Sequence, residues 1–135
     1  MEIIEINEGM VAELHRRAVE SERLRMNYDL RTTPADGSQR MLNALEVGTQ
    51  VPIHRHTDTS ETTICLHGCL DIIFYDLCDG EYTETRRVRL CPGEGNYGIQ
   101  IPQGAWHSVQ VHEPSTIFEA KDGAYSPPPT PQNEG

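Results

Sequence analysis

Three histidines and one glutamate stand at spacings that suit a single metal ion: His54 and His56 flank Arg55, Glu61 follows five residues later, and His107 lies much further on. On a strand, residues two apart face the same way and lie about 6.6 Å apart along the axis, so His54 and His56 can converge while Arg55 turns away. Thr57 to Ser60 are turn-forming residues, which lets Glu61 open the next strand and return its carboxylate to the histidine side. His107 comes directly after Pro102-Gln103-Gly104-Ala105-Trp106, a proline and glycine turn leading into a strand. Three neutral imidazoles and a carboxylate suit one divalent transition ion, Fe, Mn, Zn, Ni or Co, better than Cu(I) or Ca²⁺, and leave coordination positions open for water, substrate or O₂. Glu61 is read as a ligand with the three histidines, the alternative for a carboxylate beside a metal being an outer partner that orients a histidine. His67 and His112 match no ligand position and are read as surface residues.

Short strands must carry these residues. From about residue 40 onward, apolar runs alternate with turn residues, which predicts strands near 40–46, 51–56, 61–67, 69–77, 82–90, 96–101, 106–112 and 115–120. Asp79-Gly80 marks a hairpin between two of them, because both residues tolerate positive φ. Residues 8–20 carry the one helical pattern, with Asn7 as N-cap, Glu8 in the first turn, and Val11, Leu14 and Ala18 on a face that covers a sheet. His15 on this helix is expected to be exposed. The organisation expected is a helix and extended arm over residues 1–38, a barrel over 39–125, and a proline-rich tail over 126–135 that favours extended polyproline geometry.

Alternation sorts several further side chains. Asn43 shares a face with Met41 and Leu45, so it can look into the cavity to bind substrate, or simply satisfy a backbone group. Trp106 should face away from the site and pack. Cys65 should face inward as a small buried hydrophobe.

Composition excludes several functions. With 21 acidic against 11 basic residues and a formal charge of -10, the chain repels a phosphate backbone, so nucleic acid is not an expected partner. No apolar run approaches the roughly 20 residues of a membrane span. The acidic start lacks the basic and apolar regions of a secretory signal. Cys65, Cys69, Cys78 and Cys91 match no CxxC pattern, so free thiols in a reducing cytoplasm are expected.

The segment Gly48 to Gly68 matches the first cupin motif, G-x5-H-x-H-x4-E-x6-G, at every fixed position, and Pro102 to His107 is similar to the centre of the second, P-x-G-x2-H. Asn96 and Val111 replace the glycine that opens the second motif and the asparagine that ends it. Beyond these motifs, Asn43-Ala44, Pro52 to His56, the Arg23 to Arg25 region, and Phe118-Glu119-Ala120-Lys121 through Tyr125 resemble the WbuC-type cupin-fold metalloproteins, with Ala124 where a proline is expected. The resemblance implies an all-β cupin, a double-stranded β-helix or jelly-roll barrel, with a short N-terminal helix. It implies His54, His56, Glu61 and His107 as metal ligands, and Asn43, Lys121 and Tyr125 as residues that contact a small, polar or anionic ligand. That family is associated with surface polysaccharide (O-antigen) biosynthesis.

Three functions follow as expectations. The first is a metal-dependent enzyme, an isomerase, epimerase or oxygenase, acting on a sugar or sugar nucleotide. The second is a non-catalytic, metal-dependent ligand-binding or sensor barrel. The third is a metal-free sugar epimerase that uses a His and Tyr acid/base pair. The partner is a small polar molecule in each case, with a homodimer admitted as the assembly.

Overall fold

The structure is a computed structural model and describes residues 2–125. Its elements in order are α1 (Glu8–Glu20), β1 (Arg25–Asp29), β2 (Ser38–Leu45), β3 (Glu61–Cys78), β4 (Glu81–Leu90), a 3₁₀ turn at Pro92–Glu94, β5 (Gly98–Ile101) and β6 (Trp106–Asp122). The helix begins where capping chemistry says it should, since the Asn7 side chain accepts from the Met10 N–H at 3.0 Å. The expected proline-rich tail lies outside the described residues.

All strand pairs are antiparallel, in the order β1-β2-β6-β3-β4, with β5 on β3. The expected pairs 61–67 with 69–77 and 106–112 with 115–120 are each one long strand, β3 and β6. Their shared ladder slips register between Cys65 and Leu70. Bulges of this kind bend a strand without ending it, so turn-like residues at Gly68 and Pro114 interrupt pairing only locally. The hairpin at Asp79-Gly80 is present, with φ of 52° and 79°.

Two strand expectations need correction. Segment 51–56 forms no strand and contributes a single bridge, His54 with His107, through His54 N–H to His107 O at 3.0 Å and the reverse bond at 2.9 Å. Pro52 has no N–H to give a ladder, so only one pair forms. Conversely, the arm before residue 38 carries β1, which the sequence reading missed. Five residues with one aromatic make a weak signal, and pairing with β2 supplies what propensity does not.

β2 has two working faces. Leu42 and Ala44 point outward and form a buried cluster with Leu14 and Ala18 of α1, joined by Met26 and Tyr28 of β1. Fully burying a leucine contributes roughly 1.5–3 kcal/mol, which is what holds the helix on the sheet. Met41, Asn43 and Leu45 point to the opposite side and line the interior cavity. The main core, including Leu70, Ile72, Leu90, Val111 and Ile117, closes the interior beneath that cavity. Cys65 belongs to this core as expected.

His15 is not exposed. Its Nδ1 lies 3.0 Å from Glu46 Oε1, and its Nε2 lies 2.8 Å from Oγ1 of the fully buried Thr116. Residue 15 borders the Leu14 stripe and is drawn onto the sheet by these two partners. Thr116 Oγ1 also meets His67 Nε2 at 2.6 Å, so His67, exposed as expected, is tied to the same network. His112 is likewise exposed and lies 2.9 Å from Asp71 Oδ2.

Candidate metal centre and cavity

A cavity of about 290 Å³ opens into the interior and is lined by His54, His56, Glu61 and His107, together with Asn43, Lys121 and Tyr125. Residues from an irregular loop, from the start of β3 and from β6 therefore meet in one place. The nitrogens of His54, His56 and His107 available to an ion lie within 4.8 Å of one another. His54 and His107 are brought together by their backbone bridge, and their ring centroids are 4.3 Å apart.

The remaining ring nitrogens settle the tautomers. His54 Nδ1 lies 2.8 Å from Pro52 O, and His107 Nδ1 lies 2.9 Å from Ala105 O. A carbonyl only accepts, so each Nδ1 carries the proton and donates, which leaves Nε2 with a free lone pair. Burial, reinforced by the neighbouring His107 ring, holds His54 down to about 4, and burial lowers His107 as well. Both are neutral near pH 7, the form a metal requires.

Glu61 lies beside two of these rings, with Oε2 3.2 Å from His56 Nε2 and 3.7 Å from His107 Nε2. Oε2 is buried and receives no well-directed hydrogen bond, whereas Oε1 accepts from Thr63 Oγ1 at 3.4 Å. Burial pushes the Glu61 carboxyl up, but His56 beside it and the charges of Lys121 and His107 outweigh this and hold it ionised, down to about 2. A buried anionic oxygen without a well-directed donor, beside the imidazoles of His56 and His107, is an arrangement that a cation completes. The donor set fits a divalent transition ion.

Glu119 is the residue that sequence reasoning missed. It lines the cavity within hydrogen-bonding reach of Glu61 and Asn43, and burial together with the Glu61 charge pushes it up to about 7. The two carboxyls interact, and the charge on Glu61 favours the protonated form of Glu119. Alternation from Lys121 would have exposed it, since 117, 119 and 121 share a face of β6. Arg23, Arg25 and Asn27 also line the cavity, a position the sequence does not reveal because β1 is a weak strand signal. Trp106 faces the other way, as expected, and stacks edge-on with Tyr82 at 5.4 Å while Arg55 covers its ring at 4.5 Å.

The two perturbed groups should bend the stability curve in opposite directions. An unfolded histidine takes a proton near 6.5 that folded His54 refuses until about 4, so this residue withdraws stability as pH falls through that window. Folded Glu119 keeps its proton up to about 7, whereas its unfolded carboxyl loses one near 4.5, so its contribution fades as pH rises. In thermal melts with chelator from pH 4 to 7.5, His54→Asn should therefore gain on wild type toward low pH. Glu119→Gln should gain toward high pH, and parallel curves for all three proteins would disprove these environments.

A family model described as "Domain of unknown function (DUF6016)" matches residues 6–88, more than half of the 135 residues. Comparison with curated proteins returns no match. Among solved structures, a cupin 2 domain-containing protein from Halorhodospira halophila superposes with a TM-score of 0.61 at 17% identity, covering 78% of this chain and 69% of its own. KdgF from Halomonas sp. gives 0.55 at 16% identity, over 75% of this chain and 82% of its own. The oxalate decarboxylase of Bacillus subtilis, described with Mn(II) centres, gives 0.55 at 17% identity over 76% of this chain, which spans only 26% of that enzyme. At these identities the likeness concerns the fold. Among the described residues, no helix is long and apolar enough to cross a membrane. The antiparallel strands, the histidine cluster in their cavity and the family match together place this chain: it has the cupin fold and belongs to the DUF6016 family.

Proposed function

We propose that this chain is a metal-dependent cupin enzyme that holds one divalent transition ion through His54, His56, His107 and Glu61. Its ligand is a small polar molecule, a sugar or sugar nucleotide, and its setting is surface polysaccharide (O-antigen) biosynthesis in the cytoplasm. The observation that carries the reading is the buried Glu61 Oε2, which lacks a hydrogen bond while lying 3.2 Å from His56 Nε2 and 3.7 Å from His107 Nε2, in a cluster whose three imidazole nitrogens lie within 4.8 Å of one another. An ion bound there supplies Lewis-acid polarisation of ligand oxygens. Asn43, Lys121 and Tyr125 bind and orient the ligand from the cavity wall, with Tyr125 steadied by Arg31, whose guanidinium lies 5.7 Å from the ring centre.

The polysaccharide setting rests on the WbuC-type resemblance, and its support is spatial. Residues that carry the resemblance from distant parts of the chain, Asn43, Pro52, His54, His107, Lys121 and Tyr125, all line the one cavity. Mn(II) in the oxalate decarboxylase supports a metal on this fold, and the free Cys65, Cys69, Cys78 and Cys91 suit a reducing compartment.

Elemental analysis of protein purified without an affinity-metal step should find about one transition ion per chain, as expected of a single ligand set that keeps a coordination position open. Thermal shift and turnover assays across sugar phosphates, sugar nucleotides and small oxo-acids then test the enzyme. Saturable binding with the ligand recovered unchanged would favour a sensor barrel, and activity that survives complete chelation would favour the metal-free epimerase. Protein that takes up no ion at all would end the proposal.

A further inference from the structure

Five arginines of this acidic chain are ion-paired within the fold. Arg16, Arg31, Arg40, Arg87 and Arg89 each lie within 4.0 Å of a carboxylate. Lys121 is paired in register with Glu61 across β3 and β6, and its charge falls on Glu61 and Glu119. Arg23 and Arg25 differ. Both line the cavity, they stand two residues apart, and among the described residues neither forms an ion pair.

Arg25 is held in place. Its Nη1 donates to Thr49 Oγ1 at 3.2 Å and to Gln50 O at 2.9 Å, while Thr49 Oγ1 donates to Arg23 O at 2.7 Å. These bonds use one nitrogen of a guanidinium that has five N–H donors, so the rest of the fork remains available to the cavity. From Gln50 the chain passes Val51 and Pro52, both lining the cavity, to reach His54, which puts the arginine pair at the His54 side of the site. Burial and the repulsion of Arg23 both lower Arg25, the signature of a positive charge without an internal counterion. Two like charges on one cavity wall repel each other, and an anion bound between them would offset that repulsion.

We infer that Arg23 and Arg25 form an oxyanion subsite, and that the ligand of this barrel presents a phosphate or carboxylate there while its other polar groups reach toward the histidines. The inference deepens the proposed function and rests on it for the second half of that statement. Guanidinium forks match both oxyanions, often bidentately, so the subsite suits the chemistry that the two groups share. A cavity at the low end of the roughly 300–1,000 Å³ range for ligand sites favours a molecule of monosaccharide size, such as a sugar phosphate or a small oxo-acid.

The test is calorimetric titration of the full chain, metal-loaded and chelated, with glucose 1-phosphate, glucose, inorganic phosphate and malonate. Arg23→Gln is the main variant, since Arg23 is exposed and its side chain makes no hydrogen bond or ion pair among the described residues, and Arg25→Lys is the second. An anionic probe should bind saturably and glucose should not, with Arg23→Gln weakening the anion by about tenfold or more, the scale of one charge-assisted bond. Preference for phosphates or for malonate identifies which oxyanion the pair prefers, and either result supports the subsite. Equal affinity for glucose and glucose 1-phosphate, no anion binding, or an Arg23→Gln protein that binds like wild type would overturn it. Anion binding that persists in chelated protein and still depends on Arg23 would keep the subsite while metal uptake decides the other reading separately.

Discussion

His107→Ala is expected to lower affinity for a divalent transition ion by more than the roughly 10–100-fold that loss of an outer partner costs a metal site. The substitution is clean because the backbone bridge to His54 uses only main-chain groups and survives in alanine. What disappears is a buried imidazole whose Nδ1 is tied to Ala105 O and whose Nε2 faces the cluster. An ion present at 100 times its dissociation constant stabilises a folded protein by about 2.7 kcal/mol, so wild type should gain several degrees in melting temperature on metal addition and the variant should gain almost nothing. Trp106→Phe changes a side chain on the opposite face and should bind metal like wild type. Competition against a chromophoric chelator measures all three, and undiminished affinity in His107→Ala would remove this residue from the ligand set.

Gly68→Ala should cost several kcal/mol of stability without touching the site. A Cβ at this position would lie 2.4 Å from Pro114 O and Ser115 Oγ and 2.6 Å from Ser115 Cα, on a backbone with φ of 96°. Left-handed strain costs on the order of 1–3 kcal/mol, and overpacking against backbone that cannot retreat adds a comparable amount. Ser115 is fully buried, receives the Cys69 N–H at 3.0 Å and donates to Glu113 O at 2.7 Å, so displacing it also leaves buried polar groups unmet. Against a typical total of 5–15 kcal/mol this is a large share. Urea unfolding checks it, with Gly93→Ala, where a Cβ meets nothing within 4 Å, as the control expected to stay within about 0.5 kcal/mol of wild type. A Gly68→Ala protein as stable as that control would show that the strands do not approach so closely. The glycine that ends the first motif thus has a packing role, where β3 bends against β6.

The helix was legible because its signals are local: an Asn cap, a period of 3.6, and bounds that coincide with Glu8–Glu20. The hairpin at Asp79-Gly80 was legible for the same reason. Strand ends inside β3 and β6 were not, because Gly68 and Pro114 read as turns locally while the long ladder between these strands carries the chain through them. The two-residue spacing of His54 and His56 raised a correct suspicion of proximity by a faulty route. Segment 51–56 is no strand, and the rings approach because His54 bridges His107 and the loop returns at Gly104, whose N–H donates to His56 O at 2.8 Å.

By itself the sequence determined the all-β cupin fold with its short helix, and the residue types that gather in the cavity, since periodicity, turn chemistry and motif spacing are written along the chain. Only the tertiary structure decided which groups share an environment. Glu119 departs from ordinary carboxylate behaviour because the fold draws it into the cavity beside Glu61, and Arg25 faces the cavity because β1 pairs with β2. Both depend on contacts between segments tens of residues apart, where burial and Coulomb interactions between side chains set the chemistry.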